Sequence, residues 1–238
     1  MPKAILFDFG QTLVNSADGF KAAEKEAKDK LYADLGAERV SWDRFIGEYR
    51  KLRKAFHQKS NFSRPAIWQA VCDTFDCEPN PGRLQAWEER YWEQVKMLTT
   101  PFPETLGVME TLSRQYRLGL ITNTQGQKST NTHRIALFPE LEQFFEVIVV
   151  AGEKGISPKP DPMPFRKCLE TMNLAAGEAV YVGDDWRIDI CGARDVGIQP
   201  VWLQHRSVKR NWPAVEPFEP TITSLDELLY LPYENLSI

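Results

Sequence analysis

The sequence predicts an α/β protein built on a doubly wound parallel sheet, with a helical subdomain inserted near its N-terminus. Three observations carry that expectation: β-rich runs of continuous rather than alternating hydrophobicity, helix-like segments between them, and one long stretch with helical spacing only. Continuous apolar runs suit strands covered on both faces, and strand–helix alternation gives right-handed crossovers that place helices on both sides of the sheet.

The strand-like runs are KAILFDF (3–9), YRLGLITN (116–123), FFEVIVVAG (144–152), AVYVGDD (179–185) and IQPVWL (198–203). Helix-like segments occupy 103–115, 125–137, 162–172 and 186–196. From 16 to 98 the alternation stops, and KAAEKEAKDKLYADL, WDRFIGEYRKLRKAF, RPAIWQAVCDTF and RLQAWEERYWEQV all carry apolar residues at helical spacing. The expected organisation is therefore an α/β core of 1–15 and 100–238 with a helical cap of 16–99, entered near Asn15 and left near the prolines of PFPE (101–104). Segment 204–220, with RSVKRNW and several prolines, is the least regular piece.

Composition narrows the partner. A chain of 238 residues, 42% hydrophobic, has enough apolar material for one good core and a smaller second unit. Its formal net charge is −4 with Lys and Arg scattered, which gives no footprint for nucleic acid or an anionic membrane and leaves a small-molecule substrate as the expected partner. No apolar stretch approaches the ~20 residues of a membrane helix, and no signal-peptide pattern opens the chain, so a cytoplasmic protein is expected. Cys72, Cys77, Cys168 and Cys191 form no CxxC pair and have no neighbouring His at zinc spacing, which reads as reduced, mostly buried thiols. Nothing in the sequence speaks to oligomeric state.

In open α/β sheets ligands bind at the carboxyl ends of the strands. The first run ends with Asp8 and, past a turn, Thr12; the second with Thr122 and Asn123; the third leads into GISPKPDP (155–162) with Lys159; the fourth ends with Asp184 and Asp185, followed by Asp189. Each alone reads as cap, turn or solvated-loop chemistry. Jointly, at successive strand ends, they aim carboxylates, a hydroxyl, an amide and an ammonium at one place.

In this order the motifs DFGQT (8–12), ITN (121–123), SPKPDP (157–162) and VGDDWRID (182–189) resemble those of the haloacid dehalogenase-like hydrolase superfamily, over nearly the whole chain and with a helical cap between the first and second motifs. The resemblance implies that Asp8 is a nucleophile forming a covalent intermediate. It implies a Mg²⁺ site made by Asp184, Asp8 and the backbone carbonyl of Gly10, with Asp185 and Asp189 as direct, water-mediated or outer ligands. Lys159 would neutralise charge on Asp8 and on the transferring group, Thr122 and the Asn123 amide would hold phosphate oxygens, and Thr12 would order the first motif's loop.

One element of the family pattern is missing. In its phosphatases a second aspartate in the first motif protonates the leaving alkoxide and then activates water, a contribution of ~10² to 10⁴ in rate; here that position is Gly10. Three readings follow. The protein is a phosphatase for good leaving groups, or one that borrows an acid, with Asp18 and Glu24 as nearby candidates. It cleaves carbon–halogen or carbon–phosphorus bonds, as relatives lacking that acid do. Or it binds ligand with little turnover. The haloacid-cleaving relatives carry Tyr at the departing position and a Ser/Asn-rich fourth motif, whereas VGDDWRID keeps its acids, which favours phosphate-ester hydrolysis. Arg50 or Arg53 of the cap would suit a substrate carboxylate, and restoring an acid with Gly10→Asp is expected to raise activity toward poor leaving groups. His57, His133 and His205 match no motif and read as structural, and the tryptophans read mainly as core residues, with Trp68 or Trp92 as candidates for the mouth of the site.

Overall fold

The computed structural model describes residues 2–36, 38–59, 61–78, 81–124, 133–152, 154–218 and 220–233. In chain order its elements are β1 (Ala4–Phe7), β2 (Val14–Asn15), α1 (Ala17–Leu35), α2 (Trp42–Gln58), α3 (Arg64–Thr74), α4 (Pro81–Met97), β3 (Thr100–Pro101), α5 (Thr105–Ser113) and β4 (Arg117–Asn123). There follow α6 (Pro139–Glu142), β5 (Val147–Ala151), α7 (Pro162–Met172), β6 (Ala179–Gly183), α8 (Gly192–Asp195), β7 (Gln199–Leu203) and β8 (Thr221–Ile222). The described residues fall into two compact units, one helical over 16–99 and one formed by the remaining α/β elements.

The α/β unit is a six-stranded sheet in the order β5-β4-β1-β6-β7-β8, every neighbouring pair parallel. Its strands read as continuous apolar runs because both faces are covered. Ile5, Phe7, Leu118, Leu120, Val180 and Val182 pack on one side with Val108, Met109 and Leu112 of α5. Ala4, Leu6, Ile121 and Tyr181 pack on the other with Phe165, Cys168, Leu169 and Met172 of α7. Alternate residues of one strand thus enter two different cores, as the two-residue side-chain period requires. The chain moves from β1 outward to β4 and β5, then returns to the other side of β1 for β6. That reversal opens a crevice beyond the carboxyl ends of β1, β4 and β6.

The chain leaves the sheet through β2 and returns through β3, which pair antiparallel with Val14 opposite Pro101 and Asn15 opposite Thr100. The Thr105 hydroxyl, fully buried, donates 2.8 Å to Leu13 O and fixes the base of this ribbon.

The helical unit has its own core of Leu31, Phe45, Tyr49, Trp68, Val71, Tyr91 and Val95. Ser41 and Ser63 cap α2 and α3, accepting from Arg44 N and Ala66 N at 3.4 Å each. Trp68 and Trp92 are 0% and 5% exposed and belong to this core. Arg50 is exposed, and Arg53 pairs with Glu24 at 3.2 Å. The four cysteines are unbridged.

Two expected helices differ. Of 125–137, residues 125–132 lie outside the described residues, and Arg134–Leu137 is a single 3₁₀ turn capped by His133. The segment after β6 is a wide π turn, Trp186–Cys191, that runs into the short α8. The widening has a local cause. Asp185 Oδ1 accepts from Ile188 N at 2.9 Å, while Asp189 Oδ2 accepts from Asp185 N at 3.0 Å, so Asp189 turns back toward the sheet.

Gly183 makes that return possible. A Cβ at this position would stand 2.4 Å from Asp189 Cβ and 2.6 Å from its carboxyl carbon. Gly183→Ala should therefore destabilise the protein by about 1–3 kcal/mol in urea or thermal unfolding; unchanged stability would show that the turn adapts freely.

Candidate active site

Asp8 continues β1, its N–H donating to Val182 O at 2.9 Å, and the residue is 9% exposed. Oδ1 accepts from Lys159 Nζ at 2.8 Å, and the Thr12 hydroxyl lies 3.5 Å from Oδ2, at the outer limit of a hydrogen bond. Burial pushes the Asp8 carboxyl up to about 6 against the pull of Lys159, with Asp189 adding to the rise. Beyond it the chain turns sharply through Gln11, at φ 64°, and returns to Val14.

Lys159 is the centre of the cluster. At 1% exposure its ammonium contacts Asp8 Oδ1, Ile121 O (2.7 Å), Tyr181 Oη (2.6 Å) and Asp189 Oδ1 (2.7 Å). Burial works against the charged form, but Asp189 and Asp8 outweigh it and hold Lys159 above its usual value. Its backbone is gripped by Asn123 of β4: Oδ1 accepts from Lys159 N at 2.8 Å and Nδ2 donates to Lys159 O at 3.1 Å. The Asn123 side-chain amide is therefore engaged with the lysine loop rather than directed at a ligand.

Thr122, 2% exposed, sits beside His133, with Oγ1 and Nε2 3.4 Å apart. His133 Nδ1 accepts from Ile135 N at 3.1 Å, which assigns the ring proton to Nε2. Burial, with Arg134 and Lys159 nearby, pushes this imidazole down to about 3, so it is neutral at ordinary pH.

Asp184, at the end of β6, is 5% exposed. Arg210 grips it twice, Nη1 to Oδ2 and Nη2 to the backbone O, both at 2.6 Å, and the indole of Trp202 donates to the same carbonyl at 3.1 Å. Burial raises Asp184 well above the usual carboxylate range, against Arg210 and with help from Asp189, Asp8 and Asp185. Among the described residues, Asp8, Asp184 and Asp189 form a cluster whose carboxylate oxygens lie within 4.8 Å of one another. Asp185 stands outside that set and serves the turn as its cap.

Four participants were not legible in sequence. His133 and Arg134 follow a stretch with no motif, Tyr181 is one hydroxyl in an otherwise apolar strand, and Arg210 lies in the irregular segment after β7. Tyr181 alone carried a signal, a polar tip on a run buried on both faces. His205 is structural, bonding Glu104 at 2.8 Å and stacking on Phe102 at 3.7 Å.

A model of the haloacid dehalogenase-like hydrolases matches residues 5–203. The chain belongs to this family. A glyceraldehyde 3-phosphate phosphatase of Pyrococcus furiosus is 30% identical over 95% of this chain and 91% of its own. Among solved structures, a haloacid dehalogenase-family phosphatase from Thermococcus onnurineus superposes with a TM-score of 0.67 at 25% identity, over 96% of each chain. The magnesium-bound structure of YfnB from Bacillus subtilis has a TM-score of 0.64 at 21% identity, over 100% of this chain and 99% of that one, and shares the fold.

Lys159→Met should cost about 3–5 kcal/mol in urea unfolding, because it leaves Asp8 and Asp189 buried without their shared counter-ion. Adding Asp189→Asn should recover part of that loss. Additive losses would show that the three groups are not coupled.

Proposed function

We propose that this haloacid dehalogenase-like hydrolase is a Mg²⁺-dependent phosphatase of small phosphorylated metabolites, working through a phosphorylated Asp8. The observation that carries this reading is the cluster of Asp8, Asp184 and Asp189 tied by Lys159: a carboxylate nucleophile, a fixed cation and hard oxygen donors at one strand-end crevice. The phosphatase of Pyrococcus furiosus, similar over nearly the full chain, supports the phosphate-ester class.

The residues fit a divalent cation. Asp8, Asp184 and Asp189 supply oxygen ligands, and burial drives the first two toward protonation, a tendency that a cation among them relieves. Asp8 and Asp184 would hold it, with the Gly10 carbonyl and Asp189 completing or orienting the set. When bound, Mg²⁺ supplies charge neutralisation between the carboxylates and a phosphate dianion.

The chain's own groups do the rest. Asp8 attacks phosphorus, and the ester's P–O bond breaks as the aspartyl phosphate forms. Lys159, already donating to Asp8, fixes the direction of the nucleophile and balances charge as it transfers. His133 Nε2 faces the Thr122 oxygen, so the Thr122 hydroxyl proton points away from the ring, where it holds a phosphate oxygen. Asn123 positions Lys159. Water then attacks phosphorus, releasing phosphate and regenerating the Asp8 carboxylate.

A panel of phosphorylated metabolites assayed with Mg²⁺ should yield phosphate, chelation should abolish it, and Asp8→Asn should lower turnover to background. Halide release from 2-haloacids that persists in chelator would overturn the assignment.

The pH dependence has a defined sign. Asp8 attacks only when ionised, so at limiting Mg²⁺ kcat/KM should fall by about tenfold or more per pH unit below about 6. More Mg²⁺ favours the ionised carboxylate and should move this limb to lower pH. A limb indifferent to Mg²⁺ would argue against Asp8 facing the cation.

A further inference from the structure

We propose that the Arg134 guanidinium stands on the leaving-group side of Asp8 in place of a proton-donating acid, which makes the enzyme selective for phosphates with weakly basic departing oxygens. Acyl, enol and aryl phosphates fit that description, and simple alkyl phosphates do not. The inference rests on the phosphatase reading and names its substrate class.

The glycine at position 10 is not required by the backbone. Its φ lies outside the left-handed region, and the left-handed residue of this turn is its neighbour Gln11. What a side chain would meet is informative. Among the described residues, the atom within 4 Å of a Cβ built on Gly10 is Arg134 Nη2, at 3.2 Å. Arg134 is 3% exposed, and its guanidinium lies 5.3 Å over the ring of Phe9, the residue between Asp8 and Gly10. Where the resemblance implies a second carboxylate in the first motif, this chain has Gly10 with a buried guanidinium beside it.

A guanidinium keeps its protons at any working pH, so Arg134 cannot be a general acid; in a buried site it can stabilise an oxyanion by charge and hydrogen bonds. Among the described residues, Lys159, His133 and Glu24 are each engaged elsewhere. Lys159 is committed to four oxygens, and neutral His133 presents its Nε2 to Thr122. Glu24, one acid the sequence offered as a replacement, is engaged within its own unit by Tyr49 Oη at 2.9 Å, Tyr91 Oη at 3.2 Å and Arg53 Nε at 3.2 Å.

The step balances without a protein acid. An Asp8 oxygen bonds to phosphorus, the bond to the departing oxygen breaks, and the electron pair leaves on that oxygen beside Arg134. The oxyanion takes its proton from water. Hydrolysis of the aspartyl phosphate then gives phosphate and the Asp8 carboxylate, so the sum is ester plus water to alcohol plus phosphate. Lacking the acid costs ~10² to 10⁴ for an alkoxide and little for a weakly basic oxygen.

The geometry also changes what Gly10→Asp alone should do, because a carboxylate placed there meets Arg134 and is held ionised. The test uses five proteins, native, Gly10→Asp, Arg134→Gln, Arg134→Lys and the Gly10→Asp/Arg134→Gln double variant, at saturating Mg²⁺ with substituted phenyl phosphates, acetyl phosphate and an alkyl phosphate. For the native enzyme kcat/KM should fall steeply with leaving-group pKa. Arg134→Gln should steepen that slope, and Arg134→Lys should restore it. Gly10→Asp alone should gain little on the alkyl ester, whereas the double variant should gain on the order of 10². Urea unfolding of the native protein, Gly10→Asp, Arg134→Gln and their double variant should show that Gly10→Asp is better tolerated with Arg134 present than with Arg134→Gln. A flat native series, equal loss on every ester in Arg134→Gln, or full alkyl gain in Gly10→Asp alone would overturn the inference. No phosphate released from any ester by the native protein would instead overturn the phosphatase reading. If Arg134→Gln does not fold, the slope of Arg134→Lys and the behaviour of Gly10→Asp decide.

Discussion

The arrangement depends on one buried ammonium. Lys159 joins Asp8 at the end of β1, a carbonyl of β4, the hydroxyl of β6 and Asp189 of the π turn. An isolated charge at 1% exposure would be prohibitively costly, and two carboxylates beside each other would be almost as unfavourable. Together they satisfy one another, provided the geometry is held. The double hydrogen bond from Asn123 and the close approach of Asp189 to Gly183 hold it. The groups that give the site its chemistry are thus the same groups that make its burial tolerable.

How much of this was legible in sequence follows from the range of each interaction. The five long strands announce themselves because burial on both faces leaves an uninterrupted apolar run, and α7 because Asp161 and Pro162 mark its start. Strand ends carry the polar residues in order, so Asp8, Thr122, Lys159 and Asp184 could be placed at one crevice. Their individual tasks could not. Asn123 looked like a ligand donor, yet its partner is the backbone of a residue 36 positions away. Asp185 and Asp189 looked equivalent, and only the π turn separates a cap from a member of the cluster. His133, Arg134 and Arg210 reach the site through contacts that leave no local pattern.

Electrostatics gives the site a consistent character. Three carboxylates share the crevice with Lys159 and with Arg210, which clamps Asp184 from the segment after β7 while lying 4.2 Å over Trp212. Two fixed cations leave one negative charge in excess, which suits a divalent ion followed by a phosphate dianion. Arg134, buried beside Gly10 and over the ring of Phe9, brings a further positive charge to the turn that follows Asp8.

The two-stranded ribbon of β2 and β3 bears on ancestry. Residues 15 and 100 lie opposite each other in its ladder, so the intervening polypeptide begins and ends at one spot. A segment attached this way can be lengthened, shortened or exchanged for an unrelated one without altering a single pairing in the main sheet. The helical unit can therefore change in length or sequence over generations while the strand ends that carry Asp8, Lys159 and Asp184 keep their places.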